Sequence, residues 1–306
     1  MSASSDINPR AVLQQLVKAL PAEARHHITV IGSLAAGWSY SELFDNMQVR
    51  TKDIDCLLAP RNEAADVAVT LTKQLEADGW QHRRNQEQPT GSAQTAENAL
   101  PAVRMHPPET SDWFVELLVE PSLAGPKGRQ WLRVAIEPQR HYALPSFTFL
   151  AISNYKPHGG PQGIRIARPE MMALANALEH RVLTPDRMKE EIGERRLRRC
   201  AKDLGRVLSI AYMHELRSHK NDTGEDPFNE WVTEWHDAVK TLFPAEYQEL
   251  SATWLNGIND LLKNEDALEE AHHSCAYGLL ASQPPTLEQL RIQGQRLMKT
   301  FSRQVA

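Results

Sequence analysis

Asp53 and Asp55 stand one residue apart in "TKDIDCLL", where Ile54 separates them and Cys56, Leu57 and Leu58 follow. On a strand, residues i and i+2 project to one face, so the two carboxylates point together and Ile54 points to the opposite layer. Two carboxylates held that close repel each other unless a cation lies between them. Mg²⁺ suits such a pair, because it prefers oxygen and is often held by one or two carboxylates together with substrate phosphates. With no cation to bind, the same pattern is a strand end showing two acids to water.

Upstream, Gly32-Ser33 lies where the β-branched run "HITVIG" gives way to the small and apolar residues of "SLAAGWSYSELF". That is a strand-to-helix junction, where free backbone N–H groups and the helix dipole favour a phosphate. Ser33 adds a hydroxyl donor. An ordinary tight turn would read the same way. The pattern GxxxxGK[ST] is absent, which argues against a Walker-type nucleotide site. A third acid comes from "DWFVELLVE", where Glu116 interrupts a β-rich apolar run and needs a reason to be there. Asp112 and Glu120 share its parity but lie at the ends of the run, so Glu116 is the better candidate. The bland alternative is an edge strand with Glu116 in solvent.

The elements that must position these residues follow from pattern and punctuation. "PRAVLQQLVKAL" has helical spacing, and "HITVIG", "DIDCLL" and "DWFVELLVE" read as strands. "AADVAVTLTKQLEADGW" reads as a helix that stops at Gly79. Residues 85–101 read as a polar surface loop, and "YKPHGGPQGIRIARPE" as an irregular connection ending in a short strand. Beyond Pro169 the periodicity is helical, so a boundary is expected near residue 167. In "GERRLRRCAKDLGR", Arg195, Arg199, Lys202 and Arg206 recur at helical spacing on one face. Such a stripe either binds phosphate or is solvated surface.

Composition narrows the classes. A formal net charge of −5 argues against coating nucleic acid through bulk charge, though not against a local basic patch. Cys56, Cys200 and Cys275 form no CxxC pair, which suits a reducing compartment. No apolar run is long enough to span a bilayer, and the N-terminus shows no secretory pattern, so a cytoplasmic protein without a membrane partner is expected. His26-His27 and the group His272, His273 and Cys275 lack a partner pair at metal-ligand spacing and read as surface or interfacial residues. Trp231, Trp235 and Trp254 read as core. GxSxG and HExxH are both missing, which removes two hydrolase classes.

Strand, Gly-Ser, helix, "TKDIDCLL" and a later strand with one acid among apolar residues together resemble the DNA polymerase β-like nucleotidyltransferase superfamily. "VRTKDIDCLL", "VELLVEP", "GIRIARPEMMALANAL" and "KDLGRVLSI" resemble segments of poorly characterised bacterial nucleotidyltransferase-fold proteins, some of them like abortive-infection toxins. The gap from Ser33 to Asp53 is long for the superfamily, the third acid is Glu where Asp is usual, and Asn176-Ala177 stands where relatives often carry Lys.

The resemblance implies an α/β (α+β) fold. A small mixed sheet with flanking helices would form a catalytic domain over 1–167, followed by a helical domain over 168–306. It implies Mg²⁺- or Mn²⁺-dependent transfer of a nucleoside monophosphate from an NTP to an acceptor hydroxyl, with release of pyrophosphate. Asp53, Asp55 and Glu116 would be the catalytic metal ligands, and Gly32, Ser33, Arg50, Lys52 and Lys202 would contact the nucleotide. Arg195, Arg199 and Arg206 would meet phosphate or the acceptor, which is tRNA, another protein or a small molecule. The alternatives are a catalytically weak nucleotide-binding or regulatory module, and a toxin–antitoxin-type interaction protein.

Overall fold

The computed structural model describes residues 6–83, 90–108, 112–182, 191–192, 197–221 and 225–304. The protein is a mixed α/β chain that divides into two compact units. One comprises residues 1–35 and 51–167, and the other residues 36–50 and 168–306. Segment 36–50 therefore groups with the helical unit, whereas a contiguous division of the chain leaves it in the first. No helix among the described residues is long and apolar enough to cross a membrane.

The first unit is built on a seven-stranded mixed sheet. Its strands are β1 (Ile28–Val30), β2 (Asp53–Leu58), β3 (Gln81–His82), β4 (Arg104–His106) and β5 (Phe114–Val119). A hairpin of β6 (Arg129–Glu137) and β7 (Arg140–Phe147) follows, and β8 (His158–Gly159) and β9 (Arg165–Ile166) complete the sheet. The spatial order is β8-β9-β1-β2-β5-β4-β3. β1 and β2 are antiparallel, β2 and β5 parallel, and β4 runs antiparallel to β5. The β6–β7 hairpin forms a separate two-stranded sheet and packs against the helix Arg61–Ala77 and β5. It has no counterpart in the sequence reading, and neither have β3 and β4.

Local chemistry accounts for the elements around the site. Helix α1 (Pro9–Ala19) starts on Asn8, whose side chain accepts from the Ala11 N–H at 3.0 Å, and has proline in its first turn. Its buried face is Val12, Leu13, Leu16 and Val17. Helix α2 (Gly32–Ser39) follows β1 after one residue. Helix α3 (Arg61–Ala77) buries Ala64, Ala68, Leu71 and Leu75 at helical spacing, and Gly79 takes φ +85° just past its end. Arg61 at its start donates to the Glu120 and Trp131 carbonyls at 3.0 and 3.2 Å, tying the helix to β5 and β6. The four-residue helix α4 (Leu150–Ser153) precedes β8.

The second unit contains α5 (Pro169–Val182), α6 (Arg199–Lys220), α7 (Asn229–Leu242), α8 (Tyr247–Thr253), α9 (Asn256–Leu262), α10 (Glu265–Ala276) and α11 (Leu287–Gln304). Helix α6 packs against α5, α10 and α11. Trp231, Trp235, Trp254 and Phe301 form a buried aromatic cluster with Trp235 at its centre, its ring centroid 4.7 Å from that of Phe301. The indole of Trp235 donates to the Glu170 carbonyl at 3.0 Å. Arg168 is buried between two carboxylates, 2.5 Å from Glu170 and 2.8 Å from Glu234, so its charge is compensated inside the unit.

Ile54 is fully buried on the sheet face opposite its two aspartate neighbours. Truncation there leaves a cavity, and Ile54→Ala is expected to lower stability by about 2–5 kcal/mol in urea denaturation. A loss well under 1 kcal/mol would place Ile54 at a poorly packed position.

Candidate active site

The register between β2 and β5 pairs Asp53 with Phe114 and Asp55 with Glu116. Paired residues on neighbouring strands project to the same face, and adjacent strands lie about 4.8 Å apart. Asp53, Asp55 and Glu116 therefore share one face, as the sequence pattern requires of a common site. β4 continues the row, because Arg104 pairs with Glu116. Ile54 and Val115 fill the opposite face and are buried.

Two contacts fix the aspartates. The Thr51 hydroxyl donates to Asp53 Oδ1 at 2.6 Å, which settles the direction of that carboxylate. The Ile31 N–H donates to the Asp55 carbonyl at 3.0 Å, bringing the β1–α2 turn against β2. Gly32, at that turn, takes φ +73°, and a Cβ built on it would lie 2.7 Å from Asp55 Oδ2. Glycine is required there twice over: for the left-handed backbone, and for the closeness of the carboxylate. Ser33 is half-buried in the first turn of α2, one residue past that contact. The turn thus sets early N–H groups of a helix beside the acidic row, the arrangement that favours a phosphate.

Glu116 differs from the open acid that the sequence suggests. Arg104 holds it in a bidentate pair, Nε donating to Oε2 at 2.9 Å and Nη2 to Oε1 at 3.2 Å. Nor is its strand an edge, since β5 lies between β2 and β4. A second arginine is close by: the Arg83 guanidinium sits 4.4 Å from the ring centroid of Phe114, and that of Arg104 5.8 Å. Sequence reasoning missed Thr51, Arg83 and Arg104. The alternation of buried Val103, half-exposed Arg104 and buried Met105 was the available signal for Arg104.

The other expected contacts fall elsewhere. Lys52 lies in the first unit, half-buried, and its carbonyl accepts from the Phe114 N–H at 2.8 Å. Arg50 belongs to the second unit, where its N–H donates to the Gly278 carbonyl at 3.0 Å and its guanidinium lies 5.8 Å from the Tyr277 ring centroid. Arg199, Lys202 and Arg206 lie on α6, and Arg195 lies outside the described residues. These three cations surround an acid of their own helix. Burial pushes the Asp203 carboxyl above the ordinary carboxylate range, against the pull of Lys202, Arg206, Arg199 and His180. Asn176 donates to the Met172 carbonyl one turn back at 2.6 Å.

Whether the acids fit a divalent ion is answered in two parts. Asp53 and Asp55 project together beside a turn that leaves no room for a Cβ, and this fits one ion completed by water and phosphate oxygens. Glu116 is engaged by Arg104, and among the described residues no group of three or more His, Cys, Asp or Glu side chains is arranged to hold a metal. Compared with models of protein families, with curated proteins and with solved structures, the chain matches none.

Gly32→Ala is expected to destabilise the fold by about 1–3 kcal/mol in urea denaturation, from backbone strain and the displaced carboxylate; an unaltered midpoint would contradict the tight turn. For Asp203, raised in the folded state, the ionised form carries a penalty that is absent at pH below the ordinary aspartate range. Asp203→Asn is therefore expected to raise the melting temperature at pH 7, with the gain fading as pH falls toward about 4. An equal gain at every pH would assign the effect to packing instead of charge.

Proposed function

We propose that the first unit is a nucleotidyltransferase domain, transferring a nucleoside monophosphate from an NTP to an acceptor hydroxyl with release of pyrophosphate. The observation that carries this reading is the convergence of Asp53, Asp55 and Glu116 on one sheet face, with Gly32 pressed against Asp55. That combination of acids and a phosphate-type turn resembles the DNA polymerase β-like arrangement. A bound Mg²⁺ or Mn²⁺ would be held by Asp53 and Asp55, and would supply charge stabilisation to the phosphates in an in-line displacement.

The chain's own residues have definable parts in that reaction. Thr51 holds the Asp53 carboxylate in one orientation, so little reorganisation is left for the reacting state. The β1–α2 turn, with Ser33, is suited to accept the terminal phosphates of the NTP. As the acceptor oxygen bonds to the α-phosphorus, the bond from that phosphorus to pyrophosphate breaks, pyrophosphate departs with the bonding pair, and the hydroxyl proton passes to solvent water. Arg83 and Arg104 add positive charge at the row's outer side, next to the Phe114 ring. In a reaction with so much phosphate charge, positioning and electrostatics supply most of the rate.

A second reading has one observation in its favour. The hold of Arg104 on Glu116 suits a domain that keeps a nucleotide–metal complex but transfers slowly, as a regulatory module would. Acceptor identity separates neither reading, so the test uses labelled ATP, GTP, CTP and UTP in turn with Mg²⁺ or Mn²⁺ and total cell RNA or protein. Transfer of label and release of pyrophosphate are expected, and Asp53→Asn or Asp55→Asn should cut both by at least about 10³-fold, the scale of losing a principal electrostatic contribution. Activity within a few-fold of wild type in Asp53→Asn would rule out the mechanism. Calorimetric NTP–Mg²⁺ binding without pyrophosphate release would favour the regulatory module.

A further inference from the structure

We infer that the first unit carries a second small-molecule site, at the opposite end of its sheet from the aspartates, and that this site takes a free α-amino acid. Arg165 holds the carboxylate of that ligand and Glu120 its ammonium group. Nothing in this depends on whether the acidic row transfers nucleotides.

The strand register sets the place. Ile28 opens β1 opposite Leu58, Leu58 pairs with Val119, and Arg165 opens β9 opposite Thr29. The starts of β1 and β9 and the ends of β2 and β5 therefore meet at one end of the sheet. Ala59 there lies about 13 Å along the strand from Asp55, and Leu57 and Leu118 are buried in between. A cleft of about 430 Å³ opens at this end, and its lining includes His27, Glu63, Glu120, Asn154 and Arg165. That size is typical of small-molecule sites. Backbone bonds fix its walls, since the Ala59 N–H donates to the His27 carbonyl and the Glu120 N–H to the Leu58 carbonyl, both at 3.0 Å.

The lining holds polar atoms whose needs are unmet. Arg165 is half-buried, and among the described residues its Nε and Nη2 are covered from water and have no hydrogen-bond partner. The same holds for His27 Nδ1. Burial pushes the Arg165 guanidinium below its ordinary value, and Glu120 offsets only part of that. Covered donors on a charged group cost stability while they lack an acceptor. Nε and Nη2 form one edge of the guanidinium, the edge that Arg104 sets against Glu116 at 2.9 and 3.2 Å. Two parallel N–H groups match the two oxygens of a carboxylate, whereas a single oxygen meets both only at bent angles. Because that edge is covered, the Arg165 side chain turns on binding while the walls stay in place.

The opposite charge is held by a relay. The Thr29 hydroxyl donates to Asn154 Oδ1 at 2.7 Å, and Asn154 Nδ2 donates to Glu120 Oε1 at 3.2 Å, which orients the carboxylate and leaves Oε2 for another donor. Glu63 Oε2 faces His27 Nε2 at 3.7 Å. A plain anion drawn to Arg165 meets the repulsion of Glu63 and Glu120, and a plain cation meets Arg165 itself. A ligand with both charges answers both groups. Arg165 is close enough to feel the Glu120 charge, as a carboxylate and an ammonium group on one carbon require.

The test is titration calorimetry on the full chain with each common L-amino acid in turn, and with inorganic phosphate, acetate and methylammonium as probes that carry charge of one sign. At least one amino acid is expected to bind, one molecule per chain and more tightly than any single-sign probe. Arg165→Met and Glu120→Gln are each expected to weaken that binding by at least about tenfold, the scale of losing a hydrogen bond to a charged partner. Binding of no amino acid would overturn the inference. So would phosphate or acetate binding as tightly as the best amino acid, which would make the cleft a simple anion site. Unchanged affinity in an Arg165→Met protein that circular dichroism shows to be folded would do the same. If Arg165→Met does not fold, Glu120→Gln, which keeps the shape of its side chain, decides alone, and unchanged affinity there removes the site.

Discussion

The parallel pairing of β2 with β5, in the register that sets Asp55 beside Glu116, is the constraint on which the rest of the first unit depends. Both strands are central, and central parallel strands are buried on both faces, so they carry nearly continuous apolar runs. "DIDCLL" and "FVELLV" obey this at their C-terminal ends, where Leu57, Leu58, Leu118 and Val119 are buried. The acids occupy the N-terminal halves, where one face opens. A slip of one residue would turn Glu116 into the packed layer and bring Val115 out. Buried Ile54, Cys56, Val115 and Leu117 make that slip costly, so hydrophobic packing on one face enforces the geometry of charge on the other.

Much of this was readable in advance, and the exceptions have identifiable causes. The aspartate pair, its strand, the Gly-Ser junction and helices α1 and α3 follow from period and punctuation, which are local properties of the chain. The β6–β7 hairpin does not. Its second strand, "RHYALPSF", contains Pro145, which lacks a ladder donor and argues against a strand when judged without its partner. Here the proline sits opposite Trp131 in a two-stranded pair. Short β4 was likewise obscured, because three residues give too little alternation to stand out from a polar stretch. Its loss concealed Arg104, whose meaning comes only from a register with a strand twelve residues further on. Of the expected basic stripe, Arg199, Lys202 and Arg206 do lie on helix α6, yet spacing alone gave no hint that Asp203 among those cations would be desolvated.

Cys56 and Cys275 are buried, and Cys200 is half-buried; all three are free thiols. Burial pushes the Cys56 thiol well above its ordinary range, and Cys275 up to about 12. Such thiols pack as small apolar groups and are poor nucleophiles. Cys275 also donates to the Gly205 carbonyl at 3.1 Å, where α6 and α10 approach so closely that a Cβ on Gly205 would lie 3.0 Å from the Ala271 carbonyl oxygen. Cys56 in the first unit and Cys275 in the second thus act as packing residues.

Segment 36–50 sits early in the chain but packs with residues that follow Arg168. Tyr40, Met47 and Val49 are buried there, and the Arg217 guanidinium lies 4.6 Å from the Tyr40 ring centroid. A ribosome making this protein emits that stretch long before its cover exists. During synthesis, these apolar side chains must wait in the open for more than a hundred residues of elongation. Any fragment ending near residue 167 keeps them bare indefinitely, so an isolated N-terminal piece would be sticky for reasons unrelated to its own sheet.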